Sequence, residues 1–461
     1  MIYNPVIFRE YDIRGKYNVD YDLNFASSLG KALYKFSTDY FNNTKKIKIG
    51  VGIDARHSSK PLAENLCKGL ISIGADVVDL GLITSPVSYF ANYALPDLTG
   101  TVMITGSHNP PEYNGFKITI GNKTLSSDEI QKLQSYIGVE EDPDTVAGSL
   151  LAFDIKPLYV KRLAEEFAHL KDIRFTIDCG NGAAGSVAKA VFNSCNLNPT
   201  VLFEEPDGDF PNHHPDPTLE ENLIQLKNAI KENDSLFGIG YDGDADRIVV
   251  VTNSGRTVYT DELMALYAKT VLIEHPKAKI IGDVKCSDHY YSILKSWGAE
   301  AIMWKTGHSL IKKKVLEEDS PFGGEFSGHI FFNDRYYGFD DALYCSLRLI
   351  EIVQNSGGKN LDELLDFYPK TFSSPEIRIE VGEKEKHLMV EIFKKSIRSN
   401  CLFLNEIDGA RATFENGWAL VRVSNTQPAI TLRFEGQTEK DLNKIMENCF
   451  SILKLQLKEY T

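Results

Sequence analysis

The chain has no run approaching the roughly 18 consecutive apolar residues needed to cross a bilayer. Residues 1–9 also lack a basic stretch leading into an apolar segment and a small-residue cleavage site. The expectation is a soluble, cytoplasmic protein with no membrane partner. Cysteine is sparse: its seven residues are dispersed at 67, 179, 195, 286, 345, 401 and 449. With no close pairs among them, they argue against a disulfide framework and fit reduced thiols filling apolar space. Positive charge is in the minority, 50 Lys and Arg against 64 Asp and Glu, for a net −14. A field of that sign disfavours nucleic acid and anionic membranes, so no nucleic-acid partner is expected. An anionic metabolite would need Lys and Arg gathered locally. Short-period repeats, coiled-coil heptads and low-complexity tracts are missing too, and no oligomeric partner can be assigned.

What is present is the material of several folded domains: 461 residues, 43% of them hydrophobic and 25% charged. Residues 46–54 (KIKIGVGID) read as a β-branched strand, and 62–73 return to helical spacing. Further strands are expected at 75–80, 101–105, 174–177, 236–240 and 279–284, most followed by a polar cluster and then helix-compatible sequence. Such alternation implies α/β layers with largely parallel sheets, whose ligands gather beyond the strand carboxyl ends. Breaks near 150, 255 and 369 divide the chain into units 1–150, 151–255, 256–368 and 369–461, the last reading as a smaller α+β domain.

Four segments carry chemistry. In ITGSHNPPEYNGFK (104–117), Ser107 and His108 emerge from a strand end, Gly106 permits unusual backbone angles and Lys117 follows. A serine hydroxyl needs a base, a metal or a strongly electropositive setting to react. In GYDGDADR (240–247), Asp242, Asp244 and Asp246 recur at every second position and can surround one cation. Packed together without a counterion they would repel one another. The calcium-loop comparison fails because its sixth position would be Arg247 and its twelfth Asn253, and magnesium is favoured because it pairs a few carboxylates with phosphate oxygen. In GGEFSGH (323–329), Glu325, Ser327 and His329 can pair with hydroxyls. In RVSNTQPAITLRFEG (422–436), Arg422, Ser424, Asn425 and Thr426 suit a phosphate, while Arg433 either packs, binds or alternates out to solvent. Arg14 and Tyr17 in YDIRGKY, Lys285 after a strand and His308 after a Thr-Gly turn are further cleft candidates. CGNGAAG at 179–185 lacks the spacing of a dinucleotide-binding turn.

Together these segments resemble the α-D-phosphohexomutase superfamily over essentially the whole chain, and most of all its bacterial phosphomannomutase/phosphoglucomutase branch. The resemblance implies three related mixed-sheet α/β domains and a smaller C-terminal domain around a central cleft. It also implies a phosphorylated Ser107, magnesium held by Asp242, Asp244, Asp246 and the Ser107 phosphate, and His108, Lys117 and Arg247 around the transferring group, with Lys117 as a proton-transfer group. Glu325 and Ser327, with His329 nearby, would bind the sugar; Arg422, Ser424, Asn425 and Thr426 would hold the distal phosphate. The implied reaction moves a phosphoryl group between C1 and C6 of mannose or glucose phosphate, with glucose 1,6-bisphosphate or mannose 1,6-bisphosphate as intermediate and activator. Phe326 departs from the usual methionine of the sugar motif. The competing activities are a phosphoglucosamine mutase, a metal-dependent sugar phosphatase and a noncatalytic sugar-phosphate binding protein.

Overall fold

The computed structural model of the chain describes residues 1–139, 144–424 and 429–454. Four sheets follow one another in sequence order. In the first, the parallel strands Asp76–Leu82, Lys48–Ile53 and Gly100–Ile104 lie side by side, and Tyr113–Ile120 then returns antiparallel to the last of them. The edge strand Ile13–Lys16 completes that side. The second sheet repeats the order with Thr200–Leu202, Thr176–Asp178 and Phe237–Tyr241, followed by antiparallel Ile248–Thr252. The third repeats it again with Glu300–Trp304, Lys279–Asp283 and Phe322–Gly324, followed by antiparallel Ile330–Phe332. Three related mixed-sheet α/β units thus stand in series. Pairing runs on to Leu150–Ala152 in the first sheet and to Thr257–Val258 in the second, a few residues beyond the joins expected near 150 and 255.

The fourth sheet is antiparallel, ordered Phe403–Asn405, Ala410–Phe414, Gly417–Val423 and Ala429–Gly436, with Phe372–Ser373 and Ile377–Glu380 both paired to the last. Helices Glu383–Ile397 and Glu439–Leu453 pack on it, giving an α+β domain.

Local sequence explains these elements. Helix Leu23–Tyr40 starts where the Asp22 carboxylate accepts the Phe25 amide at 2.9 Å. Its Phe25, Leu29, Leu33 and Phe36 recur every three or four residues and are all buried, facing helix Ser59–Ser72 and the first sheet. Gly100–Ile104, Phe237–Tyr241 and Ile248–Thr252 are buried along their whole length, as strands of sheets covered on both faces must be.

One apolar cluster runs from the back of the first sheet through the second and third units, binding them together, whereas the fourth domain has its own core. Between the third and fourth domains the apolar contact is small, centred on Val284, Trp418 and Leu420. Polar contacts dominate there: Arg411 to Asp288 at 2.6 Å, Ser287 Oγ donating to Glu435 at 2.8 Å, and Arg433 donating to the Lys285 carbonyl. Arg433 is therefore interdomain packing and not a solvated strand residue; its guanidinium also lies 3.5 Å from the Phe326 ring centroid.

In each of the three α/β units, the loop between the third parallel strand and the returning antiparallel strand leaves the carboxyl edge of its sheet. Those loops contain Ser107, the three aspartates and Glu325 respectively. In the fourth domain Arg422 lies near the end of strand Gly417–Val423 and Ser424 directly follows it.

Candidate active site

Ser107 is buried and sits at φ 50°, so the unusual backbone angle expected at Gly106 falls on the serine itself. Glycine is needed at 106 for a steric reason: a Cβ there would lie 2.5 Å from Arg56 Cζ. Arg56 explains the loop's shape. Its guanidinium donates to the carbonyls of Ser107 (2.7 Å), Asn109 (2.5 Å), Pro110 (2.6 Å) and Tyr113 (3.0 Å), while Asp54 holds its Nε at 3.1 Å. The Ser107 hydroxyl donates to Asp242 Oδ2 at 2.9 Å and lies 3.1 Å from His108 Nδ1. Desolvation, reinforced by Arg247, Arg14 and Arg378, pushes His108 well below the usual histidine value. Arg14 reaches the same loop from the edge strand, its Nη1 3.2 Å from Asn109 Oδ1.

Asp242, Asp244 and Asp246 are all fully buried, with one oxygen from each within 4.8 Å of the others. Burial, then the charges of Asp244 and Asp246, push the Asp242 carboxyl well above its ordinary range. Burial acts in the same direction on Asp244, but the Lys117 ammonium, 2.6 Å away, overrides it and holds that carboxyl low. Lys117 also pairs with Asp246. Burial alone would lower the Lys117 pKa, yet the two carboxylates raise it well above normal. In this arrangement Lys117 is the charge partner of both carboxylates. Asp244 Oδ1 and Asp246 Oδ1 are buried without a hydrogen-bond partner among the described residues. Oxygen donors, closely grouped and incompletely paired, fit a hard divalent cation.

Arg247 links the metal loop to the third domain, its Nε 3.0 Å from His329 Nε2 and 3.9 Å from Asp242 Oδ2. His329 Nδ1 faces Asp340 Oδ2 at 2.8 Å and Asp246 Oδ1 at 3.5 Å. His308 stacks on His329, with ring centroids 5.1 Å apart, and Lys312 pairs with Asp340 at 2.9 Å. Glu325 accepts from Ser327 Oγ at 2.9 Å and from the Gly307 amide, and burial raises its pKa. Phe326 stacks against Tyr259 on one side and Arg433 on another, which accounts for an aromatic residue at that position.

On the fourth-domain side, Arg422 and Ser424 are buried. Arg422 Nε donates to Asp408 Oδ2 at 3.0 Å, and Lys285 pairs with Glu376 at 3.1 Å. Asn425 and Thr426 lie outside the described residues. Tyr17 is half-buried and its amide donates to the Glu112 carbonyl at 3.0 Å, beside the serine loop. Sequence reading did not single out Arg56, Ser85 (whose hydroxyl donates to Asp244 Oδ2 at 2.6 Å), Lys312, Asp340, Glu376 or Asp408.

Family comparisons cover each domain in turn. The phosphoglucomutase/phosphomannomutase alpha/beta/alpha domains I, II and III match residues 5–143, 157–255 and 259–371, and the C-terminal domain of the same family matches 376–451. A phosphomannomutase/phosphoglucomutase of Pseudomonas aeruginosa is 39% identical over 98% of this chain and 95% of its own. A phosphoglucomutase of Neisseria gonorrhoeae is 39% identical over 97% of this chain and 96% of its own. A crystal structure of a phosphoglucomutase/phosphomannomutase family protein from Burkholderia thailandensis superposes with a TM-score of 0.88 at 36% identity, covering 98% of both chains. With its four domains matched in turn and a relative 39% identical over nearly the whole chain, the chain belongs to the phosphoglucomutase/phosphomannomutase family and is a phosphohexomutase.

Proposed function

We propose that the chain interconverts the 1- and 6-phosphates of mannose and of glucose through a phosphoserine at Ser107. The observation that carries this reading is the Ser107 hydroxyl hydrogen-bonded to Asp242 inside a buried group of carboxylates that retains unpaired oxygens. In the forward half-reaction the free hydroxyl of a hexose monophosphate forms a bond to phosphorus as the bond to Ser107 Oγ breaks. The sugar hydroxyl loses its proton and, in net balance, Ser107 Oγ gains one. A 1,6-bisphosphohexose results, turns around in the cleft, and returns its other phosphoryl group to Ser107.

Asp242, Asp244 and Asp246 would hold magnesium, which supplies positive charge against the transferring phosphoryl group. Lys117, Arg247 and Arg14 supply fixed positive charge from the protein itself. His108 lies against the serine, its Nδ1 3.1 Å from Ser107 Oγ. Glu325 and Ser327 read sugar hydroxyls, with His329 and His308 beside them. Arg422, Ser424, Asn425 and Thr426, with Lys285 nearby, hold the phosphate that is not reacting. Tyr17 borders the cleft.

Replacing Ser107 with alanine tests the reading. The folded variant should lose nearly all mutase turnover, and intact-mass measurement should show a species one phosphoryl group heavier in the active protein only. Undiminished turnover would remove Ser107 from the mechanism. Steady release of free phosphate, in place of isomer exchange, would identify a phosphatase.

A further inference from the structure

The distal phosphate residue Arg422 is not held by its own domain alone. Asp408 Oδ2 accepts from Arg422 Nε at 3.0 Å and, with the same oxygen, from the backbone amide of Thr306 in the third domain, also at 3.0 Å. The Thr306 carbonyl in turn accepts the Tyr11 hydroxyl of the first domain at 2.5 Å, and the next residue, Gly307, donates its amide to Glu325. One carboxylate therefore bridges the phosphate arginine to the segment that supports the sugar-binding glutamate.

Two further features show that this contact is built in. Asp408 is followed by Gly409 at φ 79°, where a Cβ would lie 2.6 Å from Arg422 Cβ and 2.5 Å from the Val421 carbonyl oxygen, so the Asp-Gly turn is pressed directly on the strand that carries Arg422. Arg422 Nη2 is buried without a hydrogen-bond partner among the described residues, although Nε is engaged. Asp408 thus occupies one edge of the guanidinium and leaves another available. An arginine fixed in this way loses little side-chain freedom when it meets a planar arrangement of phosphate oxygens.

We propose that Asp408 is a positioning residue for phosphate recognition: it orients Arg422 toward the ligand and, through the Thr306 amide, couples phosphate capture by the fourth domain to the sugar-binding loop of the third. This rests on the assignment of the nonreacting phosphate to Arg422. Simple electrostatics makes the opposite forecast, since a carboxylate near a phosphate repels it and its neutralisation should tighten binding. The sign of the effect therefore discriminates between orientation and bulk charge.

The test uses the full-length phosphorylated enzyme with magnesium and compares Asp408→Asn, Arg422→Ala and the double variant on mannose 1-phosphate and mannose 6-phosphate. Asp408→Asn should raise KM for both isomers about tenfold, about 1.4 kcal/mol, with kcat within about threefold of the parent. In the double variant the asparagine should add almost nothing to the loss caused by Arg422→Ala, because Asp408 acts through that arginine. A contribution only to domain docking would instead be additive and would lower the thermal midpoint in both backgrounds. Unchanged or lower KM in Asp408→Asn, or full additivity, overturns the role of Asp408 alone. Unchanged KM in Arg422→Ala overturns the phosphate assignment and the role of Asp408 with it.

Discussion

Asp244 uses one carboxylate oxygen twice and the other not at all: Oδ2 accepts from Lys117 and from Ser85, both at 2.6 Å, whereas Oδ1 is buried and unpaired among the described residues. A buried acceptor in that state is costly unless something fills it, and a divalent cation does so while relieving repulsion among the three aspartates. Asp244→Asn should therefore abolish most magnesium-supported turnover, by at least the roughly 100-fold lost when weaker outer-shell partners of a metal are removed. The parent enzyme's thermal midpoint should rise on adding magnesium, and the variant's should not. Equal activity and an equal magnesium-dependent rise in the two proteins would take Asp244 out of the metal site. The spacing of the aspartates is visible in the sequence, but the state of Lys117 is not. Its partners are two carboxylates about 130 positions away in the chain, and only the folded arrangement brings them to it.

At the scale of elements, the three α/β units share a device whose first half the strand pattern makes legible. Each central parallel strand ends or is followed by a buried aspartate: Asp54 after Lys48–Ile53, Asp178 in Thr176–Asp178 and Asp283 in Lys279–Asp283. Two residues after the first and the last of these come Arg56 and Lys285, both buried cations, the first donating to the serine loop and the second pairing with Glu376. That repeat is present in the sequence and would have identified Arg56, but it becomes apparent only once the three sheets are aligned by strand order. The strands expected at 75–80, 101–105, 174–177, 236–240 and 279–284 correspond to observed strands shifted by one or two residues at most ends, because unbroken apolar runs mark strands buried on both faces. The edge strand Ile13–Lys16 was illegible, since its mixed IRGK pattern makes sense only beside Tyr113–Ile120. Asp340 and Asp341 were equally hidden. Asp341 caps helix Ala342–Gln354 and accepts hydroxyls from Tyr159 at 2.9 Å and Tyr336 at 2.8 Å. Burial raises its carboxyl from 3.8 to about 6. The folded state thus binds this proton more tightly than the unfolded chain, so the stabilisation is complete below about pH 4 and is lost as the pH rises to about 6, at most ~3 kcal/mol. Asp341→Asn keeps the cap acceptor and removes the titration. The thermal midpoint of the variant relative to the parent should climb between pH 4 and pH 6.5; a difference independent of pH would exclude Asp341 as the titrating group.

For the whole molecule, the decisive property is that its four domains differ in how firmly they are joined. The first three share a continuous apolar core, and the fourth is attached mainly by polar contacts around a small apolar patch. A reaction in which a bisphosphate must reverse end for end needs a closed, water-poor cleft during transfer and enough room in between, and the polar junction suits a domain that shifts. This architecture also bears on which sugars are used. Reversal places C1 and C6 alternately at Ser107, so recognition has to rest on groups that present a similar face in both orientations. We propose that Glu325 and Ser327 read the hydroxyls at C3 and C4, which meet that requirement; mannose and glucose share both and differ at C2. Side-by-side coupled assays with magnesium and a trace of 1,6-bisphosphohexose should therefore show efficient interconversion of the mannose pair and of the glucose pair. The glucosamine pair, carrying a cationic amine at C2, should be clearly poorer in a cleft lined by Arg14, Arg247, Lys117 and Lys285. A strong preference for glucosamine phosphates would refute the sugar assignment while leaving the phosphoserine chemistry intact. Activity on only one of the two neutral sugars would mean that a residue other than Glu325 and Ser327 reads C2, and the side chains bordering the sugar loop, His308 and His329, would be the first to replace.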